Sequence, residues 1–190
     1  MKDMIEIRIN GRGGQGAKTA AQLLAEAAMG QGKFIQSFPE YGPERAGAPI
    51  RAYTRISDHP ITIHSGVTNP DIAAVIDPTL LESVNVTEGL DDDSILLINT
   101  DKTPSEMRKE LNFNKGKLCT VDATKIALET IGLPLPNTSM LGAIIKVTQI
   151  TSLEDIEKEI KGKFLKKIGE QKTQANIDSV HRAYKEVQEG

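Results

Sequence analysis

The sequence contains one cysteine, Cys119, and no tryptophan, and its aromatic residues are four Phe and three Tyr. A single cysteine excludes an internal disulfide, and it cannot supply the four thiolates of an ordinary iron–sulfur cluster. The few aromatic rings leave little surface on which the bases of a single-stranded nucleic acid would stack. Both shortages argue against a self-contained iron–sulfur protein and against a nucleic-acid-binding protein.

A basic excess and a long apolar run are also missing. The 23 Lys and Arg residues are outnumbered by 26 Asp and Glu residues, which gives a net charge of −3 and leaves no surplus of cations to neutralise phosphates. No apolar run approaches the roughly 20 residues that span a bilayer, and the first residues do not resemble a signal peptide. The three histidines, His59, His64 and His181, lack the spacing of metal ligands. We expect a cytoplasmic protein with no nucleic-acid, membrane or metal site.

The order of the predicted elements indicates the fold class. The 190 residues suit one domain, 1–190, in which 151–190 form a helical tail. Alternating strands and helices predict an α/β, Rossmann-like fold, with a mostly parallel sheet, helices on both faces and a helical C-terminal part. The segment 33–63 has little helix signal, which predicts a hairpin at a sheet edge. The predicted strands are 5–9, 33–38, 50–56, 61–63, 71–76, 95–98 and 118–121, and the predicted helices are 17–29, 79–83, 123–131, 137–150 and a C-terminal stretch that begins at a capping box formed by Thr151 and Glu154.

A glycine-rich turn connects the first predicted strand to the first predicted helix. It matches the pattern G-x-G-x-x-G between a strand and a helix, which is the context that this pattern requires. Glycines there allow a tight turn, place no Cβ between backbone and ligand, and present N–H groups at the positive end of the helix, which favours an anion. Arg12 adds a cation that can form paired hydrogen bonds with a phosphate or a carboxylate. The turn consists of Gly11, Arg12, Gly13, Gly14, Gln15 and Gly16.

Two common nucleotide sites fit this turn poorly. A P-loop requires Lys directly after its last glycine, and here Ala17 precedes Lys18. A nicotinamide site requires an acidic residue at the end of the second strand, and the nearest carboxylate, Glu40, lies beyond a proline. Two interpretations of the turn therefore remain open. It is either an anion or ligand site, or a structural turn whose glycines only let the helix pack closely on the sheet.

A second unusual stretch, 37–49, combines turn-forming residues with Tyr41, Glu44 and Arg45. We expect it beside the glycine turn, near the carboxyl ends of the first strands, because ligands of open α/β sheets bind in that crevice. The alternative is an ordinary surface loop in which Arg45 forms a local ion pair with Glu44 or with Glu40.

Together the two stretches resemble the gamma subunit of 2-oxoacid:ferredoxin oxidoreductases, of which pyruvate synthase is the best-known member. The resemblance extends over most of the chain, to about residue 150. One departure is the run Arg45-Ala46-Gly47, where the family commonly has Arg-Gly-Gly. The matching features are the glycine turn at 11–16 with Thr19 and Ala20 behind it, the run Tyr41-Gly42-Pro43-Glu44, the strand end Arg55-Ile56-Ser57, and Asn137 leading into Met140-Leu141-Gly142-Ala143.

The resemblance implies a subunit of a larger enzyme that decarboxylates a 2-oxoacid, most simply pyruvate, and transfers its acyl group to coenzyme A. Thiamine diphosphate with Mg²⁺ and the iron–sulfur clusters would lie on alpha, beta and delta-type partner subunits, and ferredoxin would receive the electrons. This chain has no Gly-Asp-Gly thiamine signature, so it is expected to bind no cofactor alone and to hold no catalytic residue. The resemblance implies a part in the coenzyme A site for Gly11, Arg12, Gly13, Gly14, Gln15, Gly16, Tyr41, Glu44 and Arg45.

Two other functions stay open. A free-standing Rossmann-type oxidoreductase would bind NAD(P) or a flavin by itself. A pure assembly scaffold would need the glycine turn for assembly alone.

Overall fold

Residues 3–40 and 47–190, which are the part of the chain described by a computed structural model, form one sheet of seven strands. The strands are β1 (Met4–Arg12), β2 (Phe34–Glu40), β3 (Pro49–Ser57), β4 (Ile72–Val75), β5 (Ile95–Asn99), β6 (Lys117–Val121) and β7 (Gln188–Glu189). Their order across the sheet is β2-β3-β1-β4-β5-β6-β7. The inner strands β1, β4, β5 and β6 are parallel. The β2–β3 hairpin at one edge and β7 at the other are antiparallel to their neighbours.

Helices cover both faces of this sheet. They are α1 (Ala17–Gly30), α2 (Pro104–Leu111), α3 (Ala123–Thr130), α4 (Asn137–Thr148) and α5 (Leu153–Glu186), with a 3-10 helix at Pro78–Glu82. Helices α1, α3, α4 and α5 share one apolar cluster with Ile7 and Leu97 of the sheet. On the opposite face, Met107 of α2 packs with Ile98 and Leu118. The structure confirms the predicted α/β fold with helices on both faces and a helical C-terminal part.

The close approach of α4 to α5 depends on Gly142. A Cβ built at this position would lie 2.0 Å from the carbonyl oxygen of Val180. The two helices therefore touch backbone to backbone, and residues of both belong to one apolar cluster. Gly169, whose φ of 81° is not helical, interrupts α5 and divides it into two limbs.

Some predicted elements differ from the structure. The edge hairpin is present as β2 and β3, but 61–63 forms no strand, because the Ile63 carbonyl accepts from the Gln36 side chain at 3.0 Å rather than from a neighbouring strand. The N-cap of α5 is Ser152, one residue after the predicted Thr151, and its hydroxyl accepts from the Asp155 amide at 3.1 Å. Helix α2 and strand β7 were not predicted.

Two arginines of the sheet are buried under irregular segments. The Arg8 guanidinium on β1 donates to the carbonyl of Val86 at 2.9 Å and to that of Glu88 at 2.8 Å. Arg55 on β3 forms an ion pair with Glu6 at 2.7 Å and donates to the Ser65 carbonyl at 2.8 Å. Since a buried charge requires such partners, these two side chains fix the loops that cover this part of the sheet.

Candidate functional site

The glycine turn lies where the chain winding changes direction, between β1 and β4, which are neighbours in the sheet. Gly14 and Gly16 have φ values of 96° and 81°, in the left-handed region that favours glycine. Gly16 also lies against helix α4, because a Cβ there would be 2.7 Å from the Asn137 side chain. The first turns of α1 and α4 therefore meet at this point.

The backbone amides of the turn divide into two sets. The Gly13 amide donates to the Ala48 carbonyl at 2.9 Å, and the Gln15 amide donates to the Arg12 carbonyl at 3.1 Å. The Gly14 and Gly16 amides donate to no residue within 3–40 or 47–190. Within the described residues, the amides of the turn that remain available to a ligand are therefore those of Gly14 and Gly16.

Asp77, directly after β4, joins the turn to the neighbouring strand. Its Oδ2 accepts from Gln15 Nε2 at 2.6 Å and lies 3.2 Å from Arg12 Nε. Its Oδ1 caps the 3-10 helix by accepting from the Thr79 amide at 2.9 Å and from the Thr79 hydroxyl at 2.7 Å. One carboxylate thus holds both sides of the crevice at the carboxyl ends of β1 and β4.

The pKa of Asp77 reflects these partners. Burial alone would raise the pKa of this carboxyl group, but hydrogen bonds from Thr79 and Gln15 and the charge of Arg12 outweigh it, so the pKa lies below its ordinary value. The carboxylate is therefore ionised at neutral pH and keeps its partners in place.

The Arg12 side chain spans the mouth of this crevice. Its Nη2 donates to the Thr79 hydroxyl at 2.8 Å, and its Nη1 donates to the Gly47 carbonyl at 3.2 Å. The side chain stays 29% exposed. Arg12 thus anchors the turn through Asp77 and Thr79 while part of its guanidinium faces outward.

Three predicted site residues follow β2 in the sequence: Tyr41, Glu44 and Arg45. They lie outside the described residues, as does the start of the run 45–47 that departs from the family pattern. Glu40, the last residue of β2, accepts a hydrogen bond from the Tyr53 hydroxyl on β3. Burial raises the pKa of Tyr53, and the neighbouring Glu40 carboxylate raises it further.

An open cavity of about 390 Å³ lies beside the glycine turn, on the side of α1 and α4. The turn forms one wall through Gly14, Gln15 and Gly16, and the α3–α4 connection forms an apolar wall through Leu133 and Leu135. The third wall comes from α5 on both sides of its break. It consists of Phe164, Lys167, Ile168, Lys172 and Asn176.

This cavity combines cations, amide donors and apolar surface, which suits an anionic ligand with an apolar part. Two other cavities, of about 410 Å³ between α1 and β2 and about 440 Å³ at the amino end of β1, include no residue of the turn at 11–16. Of these three cavities, the one beside the turn is therefore the one in contact with residues 14–16.

Comparison with known proteins identifies the family to which the chain belongs. The pyruvate ferredoxin/flavodoxin oxidoreductase family matches residues 6–186. Pyruvate synthase subunit PorC of Thermotoga maritima is 53% identical over 186 residues, which cover 98% of this chain and 96% of that protein. The chain belongs to the pyruvate ferredoxin/flavodoxin oxidoreductase family. It is the gamma subunit of a pyruvate/2-oxoacid:ferredoxin oxidoreductase complex, as the resemblance implied.

Further relatives of this gamma subunit agree. The common gamma subunit of the pyruvate/ketoisovalerate oxidoreductases of Pyrococcus abyssi is 51% identical over 172 residues, covering 90% of this chain and 93% of that protein. The crystal structure of pyruvate oxidoreductase subunit PORC of T. maritima superimposes with a TM-score of 0.88 at 50% identity, covering 100% of this chain and 99% of that chain. A 2-oxoglutarate:ferredoxin oxidoreductase from Magnetococcus marinus, with 2-oxoglutarate, coenzyme A and succinyl-CoA bound, shares the fold at a TM-score of 0.79 and 19% identity, over 96% of this chain and 31% of that chain.

The gamma subunit holds one thiol, and it is unsuited to a cluster. Cys119 of β6 is buried, and burial raises its pKa to about 11. Across the two described ranges, no group of three or more His, Cys, Asp and Glu side chains is arranged around a common point for a metal ion. Across the same ranges, every helix is too short or too polar to cross a bilayer.

Two contributors to the crevice and the cavity are not among the residues singled out in the sequence. The first is Asp77, although a carboxylate directly after a strand, next to a glycine turn, is a signal of a crevice residue. The second is the lysine pair Lys167 and Lys172, whose place at the cavity goes with the break at Gly169, for which the sequence pattern gives no signal.

Proposed function

We propose that this gamma subunit contributes part of the coenzyme A site of a pyruvate-oxidising complex. The glycine turn and the segment with Tyr41, Glu44 and Arg45 would contact coenzyme A, and residues 1–190 would act as one domain. The supporting observation is that the Gly14 and Gly16 amides, unpaired within the described residues, line a cavity that also holds lysines. Coenzyme A carries a diphosphate and a 3′-phosphate, and backbone amides at the start of a helix suit such groups.

The other cofactors belong to partner subunits in this proposal. In the reaction, pyruvate, coenzyme A and two oxidised ferredoxins give acetyl-coenzyme A, CO₂, two reduced ferredoxins and a proton. Thiamine diphosphate with Mg²⁺ and the iron–sulfur clusters would be held by alpha, beta and delta-type subunits, because the described residues of this chain do not fit them. Its one cysteine is buried, and the cytoplasm is the compartment that suits an unpaired reduced thiol.

Arg12 would act in two ways at this site. Its contacts with Asp77 and Thr79 position the turn, and its exposed edge would donate to a phosphate of coenzyme A. A hydrogen bond between a guanidinium and a phosphate contributes about 1.5–3 kcal/mol. Its loss therefore corresponds to roughly a tenfold to hundredfold rise in the KM for coenzyme A.

The test is Arg12→Ala in the reconstituted complex. We expect the KM for coenzyme A to rise at least roughly tenfold, while the KM for pyruvate and the coenzyme A-independent release of CO₂ stay unchanged. Arg182→Ala is the matched control, since Arg182 is 32% exposed and pairs with Glu129 and Glu186 on another face. The isolated chain is the negative control and should turn over no oxoacid. An unchanged coenzyme A affinity and acyl-transfer rate in Arg12→Ala would falsify the role.

A further inference from the structure

The break in α5 produces a lysine-rich tip at the edge of the cavity. Between residues 161 and 172 the chain carries five lysines and one glutamate. Lys161 pairs with Glu157 at 3.6 Å and Lys163 with Glu26 at 3.2 Å. In the described part of the chain, no carboxylate pairs with Lys166, Lys167 or Lys172. Positive charge therefore exceeds negative charge at this tip.

Two of these unpaired lysines lie at the cavity. Lys167 lies in the last turn of the first limb of α5 and Lys172 in the first turn of the second, so the two lysines stand on either side of the break at Gly169. Both line the cavity that the glycine turn also lines. An uninterrupted helix would place these two positions, five residues apart, on different faces, so the break accounts for both residues lining one cavity.

Several apolar residues that line the cavity are exposed. Leu133 and Leu135 are 53% and 39% exposed, and Ile168 is 40% exposed. Three large apolar side chains around one open cavity are unusual on a free surface and suit the flat face of a ring system. A cavity of about 390 Å³ accommodates a nucleotide head group rather than a whole molecule of coenzyme A.

We propose that Lys167 and Lys172 bind the 3′-phosphate of coenzyme A and thereby select it over the 3′-dephospho form. This inference rests on the proposed coenzyme A role of the glycine turn and adds a specificity site to it. A phosphate monoester carries close to two negative charges at neutral pH and therefore matches two ammonium groups. Each phosphate of the diphosphate carries one charge and matches the Gly14 and Gly16 amides. The adenine ring lies against Leu133 and Leu135.

The experiment compares coenzyme A with 3′-dephospho-coenzyme A in the complete complex. In the unaltered complex we expect kcat/KM to favour coenzyme A at least roughly tenfold. In the double variant Lys167→Ala/Lys172→Ala this preference disappears, because kcat/KM falls for coenzyme A and stays the same for the dephospho form. The double variant Lys167→Arg/Lys172→Arg retains the preference, since two cations remain.

The matched control is Lys161→Ala/Lys166→Ala, which also removes two lysine charges from this tip but leaves the lining of the cavity unaltered. This control variant should keep the full preference for coenzyme A over the dephospho form. A loss of the preference in the control would show that the lysines act by general electrostatic attraction, which would overturn the assignment. The assignment is also overturned if Lys167→Ala/Lys172→Ala weakens assembly of the complex with no change in preference, because the lysines would then contact an acidic partner surface.

The same measurements separate the two proposals. If Arg12→Ala raises the KM for coenzyme A while Lys167→Ala/Lys172→Ala lowers kcat/KM equally for both ligands or for neither, the phosphate assignment fails and the role of the turn stands. If neither variant alters the kinetics of coenzyme A, the role of the turn fails and the phosphate assignment fails with it.

Discussion

Gln15 donates from its side-chain Nε2 to Asp77 Oδ2 at 2.6 Å, and its Oε1 accepts from the Arg12 amide at 2.8 Å. One amide side chain therefore links the turn after β1 to the residue after β4. A glycine-rich turn has little stiffness of its own, because glycine restricts φ and ψ least. The contacts with Asp77 supply the rigidity that a binding site requires.

We expect Asp77→Asn to destabilise the chain by about 1–3 kcal/mol near neutral pH, since the hydrogen bonds of a charged acceptor are lost. The folded-state pKa of Asp77 is lowered, so its stabilisation is present above the unfolded pKa of about 3.9 and is lost as the pH falls through the folded pKa. Urea unfolding from about pH 7 to about pH 3 should show the difference between the two proteins shrinking.

Asp92→Asn is the control for this comparison, because Asp92 is exposed in the turn before β5. Its unfolding curves should follow those of the unaltered chain at each pH. A difference between Asp77→Asn and the unaltered chain that stays constant over the whole range would show that the charge of Asp77 contributes nothing.

Gly142→Ala tests the contact between α4 and α5. A methyl group would overlap the Val180 carbonyl, 2.0 Å away, so the helices have to separate, at a cost of about 1–3 kcal/mol. Thermal unfolding should then shift downward by roughly 2–4 °C for each kcal/mol. Gly162→Ala, in α5 with no atom within 4 Å of the added Cβ, should instead leave the midpoint unchanged or raise it. Equal midpoints for the two variants would contradict this account of the helix contact.

Cys119 should be unreactive in the folded chain. Its pKa of about 11 leaves roughly one thiolate in a thousand at about pH 8, and the side chain is buried. We expect no reaction with a disulfide reagent in buffer and the full reaction of one thiol in concentrated guanidinium chloride. Stoichiometric labelling of the folded chain would show that β6 opens or that the thiol is accessible.

The sequence predicts the parts of the fold that depend on local pattern. Strand β1 alternates, α1 is rich in Ala and Leu, and the glycines between them mark the turn, so this unit could be placed correctly. Helix α2 was missed because its apolar content is low. Its capping box, formed by Thr103 and Glu106 with Pro104 at the first position, is a signal that could have located it.

The remaining features depend on contacts between distant residues. Arg55 on β3 reaches Ser65 and Glu6, and an alternating strand gives no indication of which charged residue will be buried. Strand β7 has two residues, Gln188 and Glu189, and they pair with Thr120 and Cys119 of β6, which lie far earlier in the sequence. The pairing of Gln15 with Asp77 spans 62 positions, so the glycine pattern locates the turn without showing what holds it.

The position of β2 at the sheet edge affects the chain before it meets other subunits. An uncovered edge strand invites pairing with another copy and hence aggregation. Here that strand contains Pro39, which has no N–H to offer, and it begins directly after Lys33 and ends at Glu40. These residues are typical of edges that resist such pairing. We therefore expect newly made gamma chains to persist as separate molecules while the rest of the enzyme is synthesised.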